Sequence, residues 1–211
     1  MAKIKSVWFD MDGVLIEAKE WHYEALNKAL ALFGYGITWE EHLFIYDGLP
    51  TNVKLKRMEL EKGLPAKLHK FINEMKQQYT VEIIHKQCRP RFYHEFALSK
   101  LQAEGYRIAV CSNSIRMTIE LMMDYARLTK YLEFIVSNQD VKNAKPDPEI
   151  YLTSIEKMGL KPEECLICED NKNGIKAAMA SGGHLLIISS VDDVNYDNIR
   201  NRIVEIEHGG K

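Results

Sequence analysis

Val7-Trp8-Phe9-Asp10-Met11-Asp12-Gly13-Val14-Leu15 decides how this chain is read. An apolar run with the character of a buried strand ends in two carboxylates two positions apart, then a glycine. In extended backbone, residues i and i+2 point the same way, so Asp10 and Asp12 converge on one small volume. Like charges about 4 Å apart repel by roughly 4 kcal/mol at an effective dielectric of about 20. A cation or a catalytic task has to offset that cost. Ligands of open α/β sheets bind just beyond the carboxyl ends of the strands, and the pair stands at such an end.

Working outward, the chain alternates between short apolar runs and helical periodicity. Strands are expected over residues 5–9, 107–111, 134–136, 166–168 and 185–188, and helices over 20–33, 92–103, 115–127, 148–158 and 173–181. A weak helix is expected over 192–201, followed by a frayed polar end. Gly34-Tyr35-Gly36, Gly105, Gly159 and Gly182-Gly183 stand where helices should stop. Strands alternating with helices argue for a parallel, doubly wound α/β sheet. The segment from Thr38 to Ile84 is helical in pattern, rich in Lys and Glu, and broken once by Gly63-Leu64-Pro65. It is too long for one crossover helix. The expected organisation is a Rossmann-like core of residues 1–16 and 88–211 with a small α-helical cap, 17–87, inserted after the first strand.

Composition narrows the function classes. The 211 residues carry 28 Lys+Arg against 30 Asp+Glu, a net charge of -2, which gives nucleic-acid binding no electrostatic support. There is no run of eighteen apolar residues to span a membrane and no secretory signal pattern. Cys88, Cys111, Cys165 and Cys168 read as reduced thiols of a cytoplasmic protein rather than a disulfide framework. Cys165-Leu166-Ile167-Cys168 matches C-x-x-C, but it falls in a strand, where residues three apart face opposite ways. No second cysteine or histidine pair completes a zinc set, so buried small side chains are the reading preferred. A monomer is expected.

Polar clusters fall at three strand ends: Asp10/Asp12, Ser112/Asn113 and Glu169/Asp170. Lys145 adds a fourth element, on the loop Ala144-Lys145-Pro146-Asp147-Pro148. Taken singly, each has a structural reading as a helix cap, a surface charge or an exposed turn. In this order, D-x-D-G-V, a Ser, a Lys-Pro dipeptide and a Glu-Asp pair, the chain resembles the haloacid dehalogenase-like phosphatase superfamily over nearly its whole length. It is most similar to the subgroup with a helical cap after strand one, which holds small-metabolite phosphatases and beta-phosphoglucomutase.

The resemblance implies roles residue by residue. Asp10 is the expected nucleophile, forming an aspartyl-phosphate that splits one hard step into two. Asp12 is the expected general acid and base. Mg2+, a hard cation that takes carboxylate oxygens, would be held by the Asp10 side chain, the Asp12 carbonyl and Asp170, with Glu169 direct or through water. Ser112, Asn113 and Lys145 would hold the phosphoryl oxygens. The cap would contribute substrate contacts from Glu17, His22, Thr51 and Asn52. The expected function is a Mg2+-dependent phosphatase of a small phosphorylated metabolite, a sugar or polyol monophosphate. A phosphomutase of the same core is the alternative, but the arginine near Thr51 and the lysine near Val81 that it would want are absent. A receiver domain would be shorter and capless, with its acidic pair before the acceptor strand.

Overall fold

The computed structural model describes residues 3–209. The chain divides into two compact units: the segment up to Glu17 together with Arg89 onward, and Ala18–Cys88.

The first unit is built on five parallel strands: β1 (Ser6–Phe9), β2 (Arg107–Cys111), β3 (Phe134–Val136), β4 (Cys165–Glu169) and β5 (His184–Ile187), in the order β3-β2-β1-β4-β5. All four residues of β1 are buried. That is what a central strand covered on both faces requires, and it is why the strand reads as a continuous apolar run rather than an alternating one. Register fixes the functional edge. Phe9 pairs with Val110 of β2 and with Cys168 of β4. The next residue of each strand is therefore Asp10, Cys111 and Glu169, side by side at the carboxyl ends. The ladder continues one step further, with Asp10 N–H donating to the Cys168 carbonyl at 3.0 Å and Ser112 N–H to Val136 O at 3.0 Å.

One face of the sheet presents Trp8, Ala109, Cys111, Val136, Cys165 and Ile167. Against it pack Ile150, Tyr151, Ile155 and Met158 of one helix and Ala177 and Ala178 of another. Trp8 Nε1 points at Met158 Sδ, 3.3 Å away.

The second unit is helical: α1 (Lys19–Ala31), a short α2 (Trp39–Glu41) that runs into a π-helical turn at His42–Tyr46, α3 (Thr51–Lys62) and α4 (His69–Gln87). Thr38 starts α2 with a capping box: its hydroxyl accepts Glu41 N–H at 3.1 Å and Glu41 Oε2 accepts Thr38 N–H at 2.8 Å. α1 packs on α4, and Leu26, Ala29 and Leu30 form this unit's core with Leu55, Met58 and Ile72.

The remaining helices belong to the first unit: α5 (Phe92–Ala103), α6 (Arg116–Tyr125), α7 (Glu149–Met158), α8 (Lys172–Ser181) and α9 (Tyr196–Glu207). The weak helix expected over 192–201 is instead a single 3-10 turn at Val191–Asp193 followed by α9, anchored inward by Ile199, Ile203 and Ile206. The polar texture hid a three-residue apolar stripe at spacings of four and three.

Glu17, expected among the cap's substrate contacts, falls in the first unit. Its carboxylate takes Arg91 Nη2 at 2.9 Å, and Arg91 Nη1 also reaches Asp192 at 2.8 Å. The side chain is committed to a surface ion pair.

Candidate active site

Four sequence elements far apart in the chain meet at the carboxyl edge of the sheet. Lys145 is their centre. Its Nζ donates to Asp10 Oδ1 at 2.7 Å, Glu169 Oε1 at 2.6 Å and the Cys111 carbonyl at 2.7 Å. All three of its donors are used, and the residue is 3% exposed. Burial works against the ammonium, but Asp10 and Glu169 outweigh it, so Lys145 is held above its ordinary pKa.

A hydrogen-bonded loop delivers that lysine. Asn113, at the end of β2, reads the Lys145 backbone with both ends of its amide. Oδ1 accepts Lys145 N–H at 3.0 Å and Nδ2 donates to Lys145 O at 3.2 Å. Asn138 Nδ2 in turn donates to the Asn113 carbonyl at 2.8 Å. The Asn113 side chain is thus occupied in holding the lysine loop.

Asp10 is 4% exposed. Burial pushes its carboxyl well above the ordinary range. Lys145 pulls it down, while Glu169, Asp170 and Asp12 push it further up. More carboxylate than cation is gathered here: ligand oxygens of Asp10, Glu169 and Asp170 all lie within 4.8 Å of one another. Three hard oxygen donors converging with one ammonium are a donor set suited to a small divalent cation such as Mg2+. The Asp12 side chain is not one of the three. Its Oδ2 accepts the Ser114 hydroxyl at 3.0 Å.

Asp12 opens a tight loop in which Gly13, at φ 89°, donates its N–H to Ile16 O at 2.7 Å. The turn needs the left-handed backbone that glycine adopts freely. It ends the strand direction directly after the second acid. Ser112 is buried, and its Oγ accepts Ser114 N–H at 3.1 Å.

Glu169 is fully buried at the end of β4. Its Oε1 also accepts the Tyr151 hydroxyl at 2.5 Å, and its Oε2 accepts Asp170 N–H at 3.2 Å. Helix α8 makes room for it. A Cβ at Gly174 would land 2.0 Å from the Glu169 carboxyl, so the helix start approaches the carboxylate only because that residue is glycine. Asn171 caps the same helix, accepting from Asn173 N–H at 3.0 Å and Gly174 N–H at 2.9 Å.

Tyr151, Ser114 and Gly174 are thus members of the site that motif reading passed over. Tyr151 follows the Lys-Pro dipeptide by five positions and reads as one more core residue of α7. Ser114 belongs to no motif of its own and directly follows the Ser112/Asn113 pair.

The remaining expected residues lie in the helical unit. His22, on α1, has Nδ1 3.3 Å from Lys76 Nζ of α4. Thr51 opens α3, and Asn52 uses its side-chain oxygen on the Val53 N–H at 2.9 Å. Three cysteines belong to the strands of the first unit: Cys111 and Cys168 close to the site, and Cys165 at the opposite end of β4. Burial pushes the Cys111 thiol up to about 12, Cys165 to about 11, and Cys168 higher still. These thiols stay protonated and inert.

Comparison with known proteins follows the same lines. The profile of the family described as "Haloacid dehalogenase-like hydrolase" matches residues 7–188. The chain is 29% identical over 184 residues to a phosphorylated carbohydrates phosphatase of Thermotoga maritima, covering 85% of this chain and 82% of that one. It is 26% identical over 199 residues to a phosphoglycolate phosphatase of Shigella boydii, covering 85% and 79%. Among solved structures, a beta-phosphoglucomutase from Clostridium difficile superposes with a TM-score of 0.84 at 22% identity, over 97% of this chain and 99% of that one. That likeness concerns the fold.

Proposed function

The chain belongs to the haloacid dehalogenase-like hydrolases, and from that premise we propose that it is a Mg2+-dependent phosphatase that opens a small phosphorylated metabolite through an aspartyl-phosphate on Asp10. The observation that carries this reading is the buried Lys145 bridge between Asp10 and Glu169, with Asp170 completing a carboxylate triad. A phosphatase that works through an aspartyl-phosphate needs a carboxylate nucleophile, a cation for the phosphoryl charge and hard oxygen donors for a metal at one point. These residues bring all three.

Bound Mg2+ would supply charge neutralisation for the transferring phosphoryl group; Asp10, Asp170 and the Asp12 carbonyl would hold it, with Glu169 direct or through water. The rest is work for the chain's own side chains. Lys145 keeps Asp10 oriented and presents positive charge where the phosphoryl oxygens arrive. Ser112 donates its hydroxyl hydrogen to one of those oxygens, and the Asn113 backbone, rather than its occupied amide, serves another. Asp12, steered by Ser114, gives a proton to the departing alkoxide and later takes one from the attacking water, a role typically worth about 10²–10⁴-fold in rate.

The substrate class proposed is a sugar or polyol monophosphate. The resemblance supports it, as does the Thermotoga relative named for phosphorylated carbohydrates. Residues Ala18–Cys88 are proposed as the substrate-reading cap, with His22, Thr51 and Asn52 as its contacts. The test is phosphate release from a panel of sugar, polyol and short acid phosphates, with Mg2+ and with EDTA. Metal-dependent release from a sugar or polyol phosphate is expected. No release, with isomerisation of a hexose phosphate once a bisphosphate primer is added, would establish a mutase instead.

A further inference from the structure

Tyr151 has no task in the chemistry assigned above, yet it touches the centre of it. It lies in the first turn of α7, is fully buried, and its ring runs parallel to Trp8 of β1 (5° between planes, centroids 6.5 Å apart). Phenylalanine would fill that slot equally well, so the hydroxyl is what needs a reason. It donates to Glu169 Oε1 at 2.5 Å. The same oxygen accepts Lys145 Nζ at 2.6 Å, and that ammonium sits 4.9 Å from the centroid of the Tyr151 ring, within cation–π reach. One side chain therefore holds both the carboxylate and the cation of the site.

Two donors on one carboxylate oxygen fill its two lone-pair directions. Oε2 takes Asp170 N–H at 3.2 Å, and Gly174 forms a wall against the carboxyl group. Glu169 is thereby fixed in one orientation. The phenol also shares Oε1 with Lys145. Without it, Glu169 would draw the ammonium more strongly, at the expense of the 2.7 Å contact to Asp10. We propose that Tyr151 is a positioning residue: its hydroxyl fixes the Glu169 carboxylate, and through it Lys145, in the arrangement that the divalent cation and the nucleophile require. The inference rests on the metal-dependent reading above.

The test is Mg2+ binding by titration calorimetry on substrate-free protein, in wild type, Tyr151→Phe, Glu169→Gln and the double variant. Tyr151→Phe keeps the ring and its packing on Trp8, and near-UV circular dichroism checks that it does. Partners that orient metal ligands typically cost about 10–100-fold in metal affinity or activity when removed. About tenfold weaker Mg2+ binding is expected in Tyr151→Phe, with no further loss when the change is added to Glu169→Gln. Wild-type affinity in Tyr151→Phe, an equal loss in both backgrounds, or no Mg2+ binding by the wild type would overturn the proposal. A residue that only packs the core would lower the melting temperature and leave metal affinity alone. Because substrate is absent, a protein that binds Mg2+ in this pattern but releases no phosphate would sink the phosphatase reading and leave the role of Tyr151 standing.

Discussion

At the scale of single residues, Asp10 and Asp12 differ in what surrounds them, and their variants should differ accordingly. Asp10 is buried against Lys145; Asp12 is half-buried and faces Ser114. Asp10→Asn is expected to abolish phosphate release while circular dichroism stays native; release at the wild-type rate would remove Asp10 as nucleophile. Asp12→Asn should slow turnover by about 10²–10⁴-fold yet keep Mg2+ affinity in calorimetry, and a lost affinity would place its side chain on the metal. Lys145 is the buried partner of two acids, and removing one side of such a pair typically costs about 3–5 kcal/mol. Lys145→Met should lower metal-free stability to that extent in urea titrations. The motif residues Asp10, Glu169 and Asp170 could be found in the sequence because chemistry restricts which side chains can stand at strand ends, and Lys145 because it precedes a proline on a loop in the same order. The partners of these residues were less visible. The amide clasp of Asn113 on the Lys145 backbone, the Tyr151 hydroxyl and the commitment of Glu17 to Arg91 depend on where distant segments meet, and no local spacing encodes that.

Elements of the first unit up to β5 were legible because each is short, apolar and bounded by turn residues, whereas the polar α9 was not. The spans expected for β2, β3 and α5 coincide with the structure, and Gly159 ends α7 in left-handed backbone at φ 63°. In the helical unit the helix expected over 20–33 corresponds to α1, and the stretch from Thr38 to Ile84 was read only as a helical block broken once at Gly63-Leu64-Pro65. Its π-helical turn at His42–Tyr46 leaves no mark in a pattern that still repeats every three to four residues. That turn buries His42, and burial, with Lys54 of α3 and His22 and Lys19 of α1 as like-charged neighbours, lowers its pKa to about 3. A histidine depressed in the folded state stays neutral there while the unfolded chain takes up a proton. Stability is therefore lost as pH falls from about 6.5 towards 3. His42→Phe, which keeps a ring beside Trp39 and Tyr23, should flatten that acid limb in urea titrations run from neutral pH to about pH 4. In α8, Gly174→Ala would gain helix propensity of about 1 kcal/mol in an open setting. Here the added methyl meets the Glu169 carboxyl at 2.0 Å, so activity and Mg2+ affinity are both expected to fall by tenfold or more; a stabilised, fully active variant would contradict the packing described.

For the molecule as a whole, the parallel sheet and its strand order follow from alternating strands and helices, because parallel strands need crossovers of this length. The site's excess of carboxylate makes stability depend on the cation. Binding that favours the native state contributes about 2.7 kcal/mol at a hundredfold excess over the dissociation constant. Mg2+ should thus raise the melting temperature, EDTA should reverse it, and Asp170→Ala should abolish the shift. No helix among the described residues is long and apolar enough to cross a membrane. The buried thiols have a practical consequence as well. Cys88 is a residue of the helical unit, and Cys111, Cys165 and Cys168 belong to the other unit; all four are unbridged and out of solvent. An alkylating reagent can reach them only when the chain around them opens, so the order in which they are modified under mild denaturant would time the opening of each unit separately, with no label to introduce and no residue of the site to change.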